Sequence, residues 1–304
     1  MTPTDVKGHR APRLQRNWDS RAACNFIGGG SGAGLLAAAA AASLAGWPYY
    51  PAGALAIVLI GFGLLMVWLE IGRPLRALNV FFHPQTSWMT REAFLALPVL
   101  TLAGLAVLLD QRFVSLPFQV QVPVTVLALV AALFALGFLY CQARILGASQ
   151  GVPTWREPTL QAVIVVTGIT EGLGLLLVLG LFIGPPVTWV VAASIVAVVA
   201  RSAAWEHYRR QVKLTGPAPA VAVLNRVSLP VHLVGHLLAA TLLVASLRAA
   251  SPVMPAAIAG FMLFAAGAWL KFNVVTRAAF TQGFSIPFVP VRGRTSGAYL
   301  AADK

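Results

Sequence analysis

Trp18–Leu35 runs W-D-S-R-A-A-C-N-F-I-G-G-G-S-G-A-G-L. A tryptophan and an arginine open the stretch, one asparagine follows, and small residues then lead into the alanine-rich Ala37–Ala42. Gly28-x-Gly30-x-x-Ala33 matches a relaxed dinucleotide fingerprint, but that fingerprint needs a preceding strand and a surrounding βαβ unit. Here the glycines continue into an apolar helix. They also read as small-xxx-small pairs, Gly28/Gly32 and Gly30/Gly34, which let membrane helices approach closely. Close packing and a cavity lined by bare backbone are both open to such a run. Asn25 lies about one turn inside the segment, where an amide is costly unless it is paired. An interhelical hydrogen bond and a bond to a ligand carbonyl both satisfy it.

Composition extends this reading to the whole chain. Of 304 residues 58% are hydrophobic and 10% charged, with mean hydropathy +0.79. A soluble domain carries roughly 25% charged residues, so the chain lacks the polar surface to cover itself. The expectation is an all-α integral membrane protein, because the long apolar stretches show no alternation of the barrel type. The net charge of +13 could suggest a nucleic-acid partner. The basic residues lie between apolar spans, however, so topology accounts for them and no nucleic-acid partner is expected. Cys24 and Cys141 make neither a disulfide framework nor a metal motif. The polar N-terminus lacks a signal-peptide pattern.

Spans of about 20 residues fall at 21–44, 51–70, 93–110, 121–143, 159–183, 187–204, 227–248 and 254–273. They predict an eight-transmembrane-helix bundle over 21–273, between a basic tail at 1–20 and a C-terminal tail at 274–304. Of the 22 Lys and Arg, all but Arg112 and Arg248 fall on one side of this arrangement. That grouping takes Arg201 with the sixth connection and Lys271 with the C-terminal tail. Basic residues are retained on the cytoplasmic face, which places both termini in the cytoplasm and requires an even number of spans.

Few polar groups are available for chemistry. Glu171, in T-G-I-T-E-G-L-G, is an acid near mid-span, where ionisable groups face a cavity or a partner. A protonated carboxyl bonded to a neighbour and a proton relay are both open. Glu70 ends the second span just before Gly72-Arg73-Pro74, within reach of Arg73 or Arg76. Tyr140 and Arg144 share a helix face at i,i+4, either anchoring the interface or turning a phenol inward. His232 and His236 are also i,i+4, while His9, His83 and His207 read as tail or loop residues. A b-type haem wants a histidine on a facing helix, so haem b is not expected, nor is any metal. The apolar loop around His83 reads as a short amphipathic piece at the interface, and Thr90-Arg91-Glu92 as the start of the third span.

Four segments together resemble a known family: Trp18–Leu35, Gly72–Phe94 (G-R-P-L-R-A-L-N-V-F-F-H-P-Q-T-S-W-M-T-R-E-A-F), Tyr140–Gly147 and Thr167–Leu173. The chain resembles the NrfD-type membrane subunits of polysulfide-reductase-like molybdenum-enzyme complexes. Within that family the N-terminal segment and the ending Asn273–Phe288, N-V-V-T-R-A-A-F-T-Q-G-F-S-I-P-F, are most similar to membrane subunits of phenylacetyl-CoA:acceptor oxidoreductases. The resemblance implies a multi-pass anchor in the bacterial inner membrane that binds ubiquinone or menaquinone. It implies a docked ferredoxin-like iron–sulfur subunit and a molybdopterin catalytic subunit, which the charge pattern places on the cytoplasmic side. The positions it marks are Asn25 and Tyr140 for the quinone oxygens; a mechanism built on them would use Arg144 or Arg21 to offset developing negative charge, with Gly28 as bare backbone at the ligand. Glu70 or Glu171 would deliver protons. A structural anchor without a quinone site, and an ion or solute transporter subunit, are the alternatives.

Overall fold

The computed structural model describes residues 11–71, 74–110, 123–185 and 187–282. Most of both tails, including Lys7, Arg10, Arg292, Arg294 and Lys304, lies outside these residues, as do Arg73 and Arg112. Among the described residues, eight helices are long and apolar enough to cross a membrane. The first is α1 (Ser20–Ser43), followed by α2 (Tyr50–Glu70), α3 (Trp88–Leu109) and α4 (Val124–Ala148). A short α5 (Pro153–Arg156) precedes α6 (Thr159–Ile183) and α7 (Thr188–Thr215). The seventh span is compound: α8 (Ala218–His232), a π turn at Leu233–Leu238 and α9 (Ala239–Ser246). The eighth joins α10 (Val253–Phe272) to a second π turn at Asn273–Arg277. Between α2 and α3, where a short amphipathic piece is expected, Pro74–Phe82 forms a 3₁₀ helix that exposes Leu75, Leu78 and Phe82.

Helix α1 is the axis of the bundle. It packs against α2, α4, α6 and α10, and 78% of its most apolar window is buried. Its glycines make this possible. A Cβ on Gly28 would come within 2.6 Å of the Leu59 carbonyl on α2, and one on Gly34 within 2.0 Å of the Gly168 carbonyl on α6. Packing therefore uses this run on two sides, the van der Waals mode that membrane helices rely on. The remaining helices pair in order: α3 on α4, α6 on α7 and α10, and α10 on α9.

Span boundaries differ from the hydropathy reading where polar residues enter helices. The third span starts at Trp88, not at 93, because Ser87 caps it by accepting from the Thr90 N–H at 3.3 Å. Glu92 is thereby drawn into the bundle. The sixth continues past 204 to Thr215, with Arg201, Trp205, Tyr208 and Val212 buried along one face. His207 is therefore helical, not a loop residue. Arg201 and Lys271, grouped by sequence with the cytoplasmic charges, are fully buried.

One end of the bundle is closed by packing between distant parts of the chain. Leu14 bridges Phe280 in antiparallel fashion, and Thr281 N–H donates to the Arg13 carbonyl at 2.8 Å. Trp155 on α5 donates its indole N–H to the Val274 carbonyl at 2.9 Å and stacks on Trp18 with ring centroids 4.9 Å apart. Tyr208 donates to the Thr154 carbonyl, and Thr154 to that of Ala278. These buried side chains thus find backbone partners, as burial demands.

Candidate functional site

A cavity of about 130 Å³ opens at that same end, beside the start of α1. Its wall takes Trp18, Ala22, Asn25 and Phe26 from the start of α1, Val67, Glu70 and Ile71 from the end of α2, Met89 and Glu92 from α3, and Ile145 from α4. An apolar cavity of about 150 Å³ holds a benzene ring, so this volume accommodates one six-membered ring. Three polar side chains, Asn25, Glu70 and Glu92, reach an otherwise apolar wall, the usual composition of a ligand pocket.

The mouth is fixed by charge. Asp19 caps α1, accepting from the Arg21 N–H at 2.7 Å, and pairs with the Arg21 guanidinium at 2.8 Å. That bond holds the exposed Asp19 carboxyl below the usual carboxylate range. Arg21 also donates to the Leu69 carbonyl at 3.1 Å, stitching the start of α1 to the end of α2 next to Glu70. Deeper in, Gln142 of α4 is fully buried and donates to the Asn25 carbonyl at 3.1 Å. Its amide occupies the space where Gly29 has no side chain, 2.4 Å from where a Cβ would sit. Glu92, 6% exposed, faces the side chains of Asn25 and Gln142. Among the described residues, Asn25 Oδ1, Gln142 Oε1 and Glu92 Oε1 have no hydrogen-bond partner.

The sequence candidates divide by position. Asn25 and Glu70 stand on the cavity wall, and Arg21 borders it. Gly28 lies at the α1–α2 contact and is not on the wall. Tyr140 is 44% exposed, and its hydroxyl accepts from Arg144 at 3.1 Å. Arg144 and Arg91 lie over the Trp88 ring at 4.5 and 4.2 Å, so this cluster is outside the cavity wall. Glu171 is also remote. It forms a fully buried ion pair with Lys271 at 2.5 Å, and Lys271 donates to the Phe26 carbonyl at 3.0 Å. The bare backbone of Gly30 makes room for that ammonium.

A second polar chain lies between α7, α8 and α10. Arg201 donates to the carbonyls of Leu263 and Gly235, at 2.9 and 2.7 Å, and to His236 Nε2 at 3.1 Å. A guanidinium only donates, so neutral His236 carries its proton on Nδ1, which faces His232 Nδ1 at 3.0 Å. His232 then donates from Nε2 to Glu206 at 2.7 Å. Both histidines are engaged in this chain, which borders a shallow groove separate from the cavity. Among the described residues, no group of three or more His, Cys, Asp or Glu is placed to hold a metal ion.

Glu92, Gln142, Arg201 and Lys271 escape a reading of the sequence for site residues. Glu92 and Lys271 sit at span edges, and Arg201 sits near the end of the weak sixth span. Gln142 enters only as part of a resemblance motif. The spacing of the buried residues from Arg201 to Val212, at i, i+4, i+7 and i+11, is the local signal that could have extended that span.

Residues 17–188 match the family described as Polysulphide reductase, NrfD. Over 178 residues the chain is 28% identical to a subunit of the sulfite dehydrogenase of Allochromatium vinosum, an alignment covering 55% of this chain and 54% of that one. The chain thus spans about half the length of this curated relative. The family match covers more than half of the chain, and the chain belongs to the NrfD family of multi-pass membrane subunits of oxidoreductase complexes.

Proposed function

We propose that this NrfD-family subunit anchors its oxidoreductase complex in the membrane and exchanges electrons and protons with a lipid-soluble quinone in the cavity beside α1. The carrying observation is the cavity itself. It has room for one six-membered ring, an apolar wall, and unpartnered buried oxygens on Asn25 and Glu92. Quinone headgroups carry two polar oxygens on an apolar ring, which suits such a wall. A buried polar atom left unpaired costs about 1–3 kcal/mol, and a ligand hydroxyl would satisfy it.

The electrons come from a ferredoxin-like iron–sulfur partner, a reading supported by membership of the NrfD family. A molybdopterin subunit would act on the substrate. The docking face would be the basic end around Arg16, Arg21, Arg91 and Arg144, next to the cavity, and the charge distribution supports a cytoplasmic side for it. A cytoplasmic catalytic subunit fits a CoA thioester such as phenylacetyl-CoA. A sulfur oxyanion is the second reading, favoured by the sulfite dehydrogenase relative.

Photolabelling with an azidoquinone, on the complex purified with its partner subunits, tests the site. Label should map to α1 or α3 and be displaced by excess quinone. Asn25→Leu should raise the half-saturating quinone concentration about tenfold, equivalent to losing one hydrogen bond. Absence of specific label would favour an anchor without a quinone site. Purification without soluble partners would favour a transporter.

A further inference from the structure

We propose that Glu92 is the carboxyl that exchanges a proton with the ligand in this cavity, through direct contact with a quinone oxygen. The proposal rests on the quinone reading above and assigns a residue that the span boundaries had hidden.

The case begins with what surrounds Glu92. It is nine-tenths buried and lies on the cavity wall, with Oε1 unpartnered. Its neighbours are the amides of Asn25 and Gln142, which are neutral. Arg91 is adjacent in sequence but turns away. It donates to the carbonyls of Pro84 and Gln85, at 2.8 and 2.6 Å, and stacks on Trp88. Among the described residues, no cation forms a salt bridge with Glu92. Glu171 is the contrast: it is fully buried and paired with Lys271. A carboxyl among neutral groups is free to give up or take a proton. One locked in an ion pair is not.

Position completes the case. Glu70 lines the same cavity nearer the mouth and is half-buried. Converting a quinone to a hydroquinone takes two electrons, here from the iron–sulfur partner, and two protons. Glu92 gives its carboxyl proton to one quinone oxygen: the O–H bond on Glu92 breaks as an O–H bond forms on the ligand. The resulting carboxylate accepts hydrogen bonds from the new hydroxyl and from the neighbouring amides. Glu70 relays the second proton, and the one that restores Glu92, from water at the mouth. In quinol oxidation the same transfers run in reverse. A protonated Glu92 suits an arriving quinone carbonyl, and an ionised one suits the departing hydroxyl.

The test uses the complex with its partner subunits, its iron–sulfur clusters reduced with dithionite and then freed of reductant. Mixing with decylubiquinone reoxidises the clusters, followed by their visible absorbance. Glu92→Gln should slow reoxidation at saturating quinone about 100-fold or more, in the range for loss of a general acid. Its half-saturating concentration should stay within about threefold of the unmodified protein. Glu92→Asp should recover part of the rate, and it serves as the readout if the glutamine variant does not assemble. Rates unchanged in both variants, with azidoquinone still labelling this subunit, would overturn the role of Glu92 and leave the quinone site standing. If the unmodified complex neither takes the label nor reoxidises with quinone, the quinone reading itself fails and Glu92 with it.

Discussion

Replacing Lys271 by methionine removes the positive half of the buried pair while keeping an unbranched side chain of similar length. Two bonds disappear: the 2.5 Å contact to Glu171 and the 3.0 Å bond to the Phe26 carbonyl. Among the described residues Glu171 Oε1 already lacks a hydrogen-bond partner, so the carboxylate is left at zero exposure with no ion-pair partner. Removing one member of a buried pair costs about 3–5 kcal/mol. Uptake of a proton by Glu171 sets the ceiling, since a neutral acid tolerates burial better than a carboxylate. At roughly 2–4 °C per kcal/mol for chains of this order of size, the detergent-solubilised protein should unfold about 6–20 °C earlier. The double variant Glu171→Met/Lys271→Met should regain most of this, because an apolar pair of similar volume often matches a buried ion pair. The assay is thermal unfolding of the three variants and the parent in one detergent, analysed as a double-mutant cycle. A loss below about 1 kcal/mol for Lys271→Met would refute the reasoning. So would a double variant no more stable than the single one.

Gly172→Ala should prevent stable assembly, since its Cβ would lie 2.0 Å from the Gly34 carbonyl carbon and 2.2 Å from the Leu35 nitrogen, both backbone. Gly61→Ala meets no atom within 4 Å and should be neutral or stabilising by up to about 1 kcal/mol. Yield of folded protein after solubilisation distinguishes the two. Arg201→Met should destabilise by at least about 3 kcal/mol, because two carbonyls and His236 Nε2 lose their donor together. Arg201→Lys should recover little, lacking the planar fork that reaches all three; thermal unfolding reads both. A fluorescent protein fused after Lys304 should be fluorescent in cells and an alkaline phosphatase fusion there inactive. The opposite pair of results would reverse the assigned topology and the docking side.

Much of the architecture was legible because membrane insertion depends on summed residue hydrophobicity, a property of sequence alone. Eight apolar stretches became eight helices, and the small-xxx-small spacing of Gly28 and Gly32 became contact with α2. Asn25 and Glu70 were legible as candidates for a related reason, since a polar group near a span end invites a partner or a ligand. Their joint presence on one wall was not. It depends on α1 and α2 converging at the end where Arg21, paired with Asp19, donates to the Leu69 carbonyl.

Tertiary structure alone decided which charges belong inside. Hydropathy penalises every ionisable residue alike, so Arg201 and Lys271 fall near the ends of the apparent spans and Glu92 just outside one. The real cost of burial depends on partners, and these come from distant helices: Glu171 lies 100 positions before Lys271, and His236 is 35 after Arg201. Tyr140 shows the converse, since sequence gives its helix face and not the direction of that face, here toward Arg144 and Trp88. The sequence by itself determined the membrane class, the number of spans and the close packing of α1. Folding determined which polar groups meet, because a helix fixes the spacing of its own side chains and only the packing of helices fixes what they face.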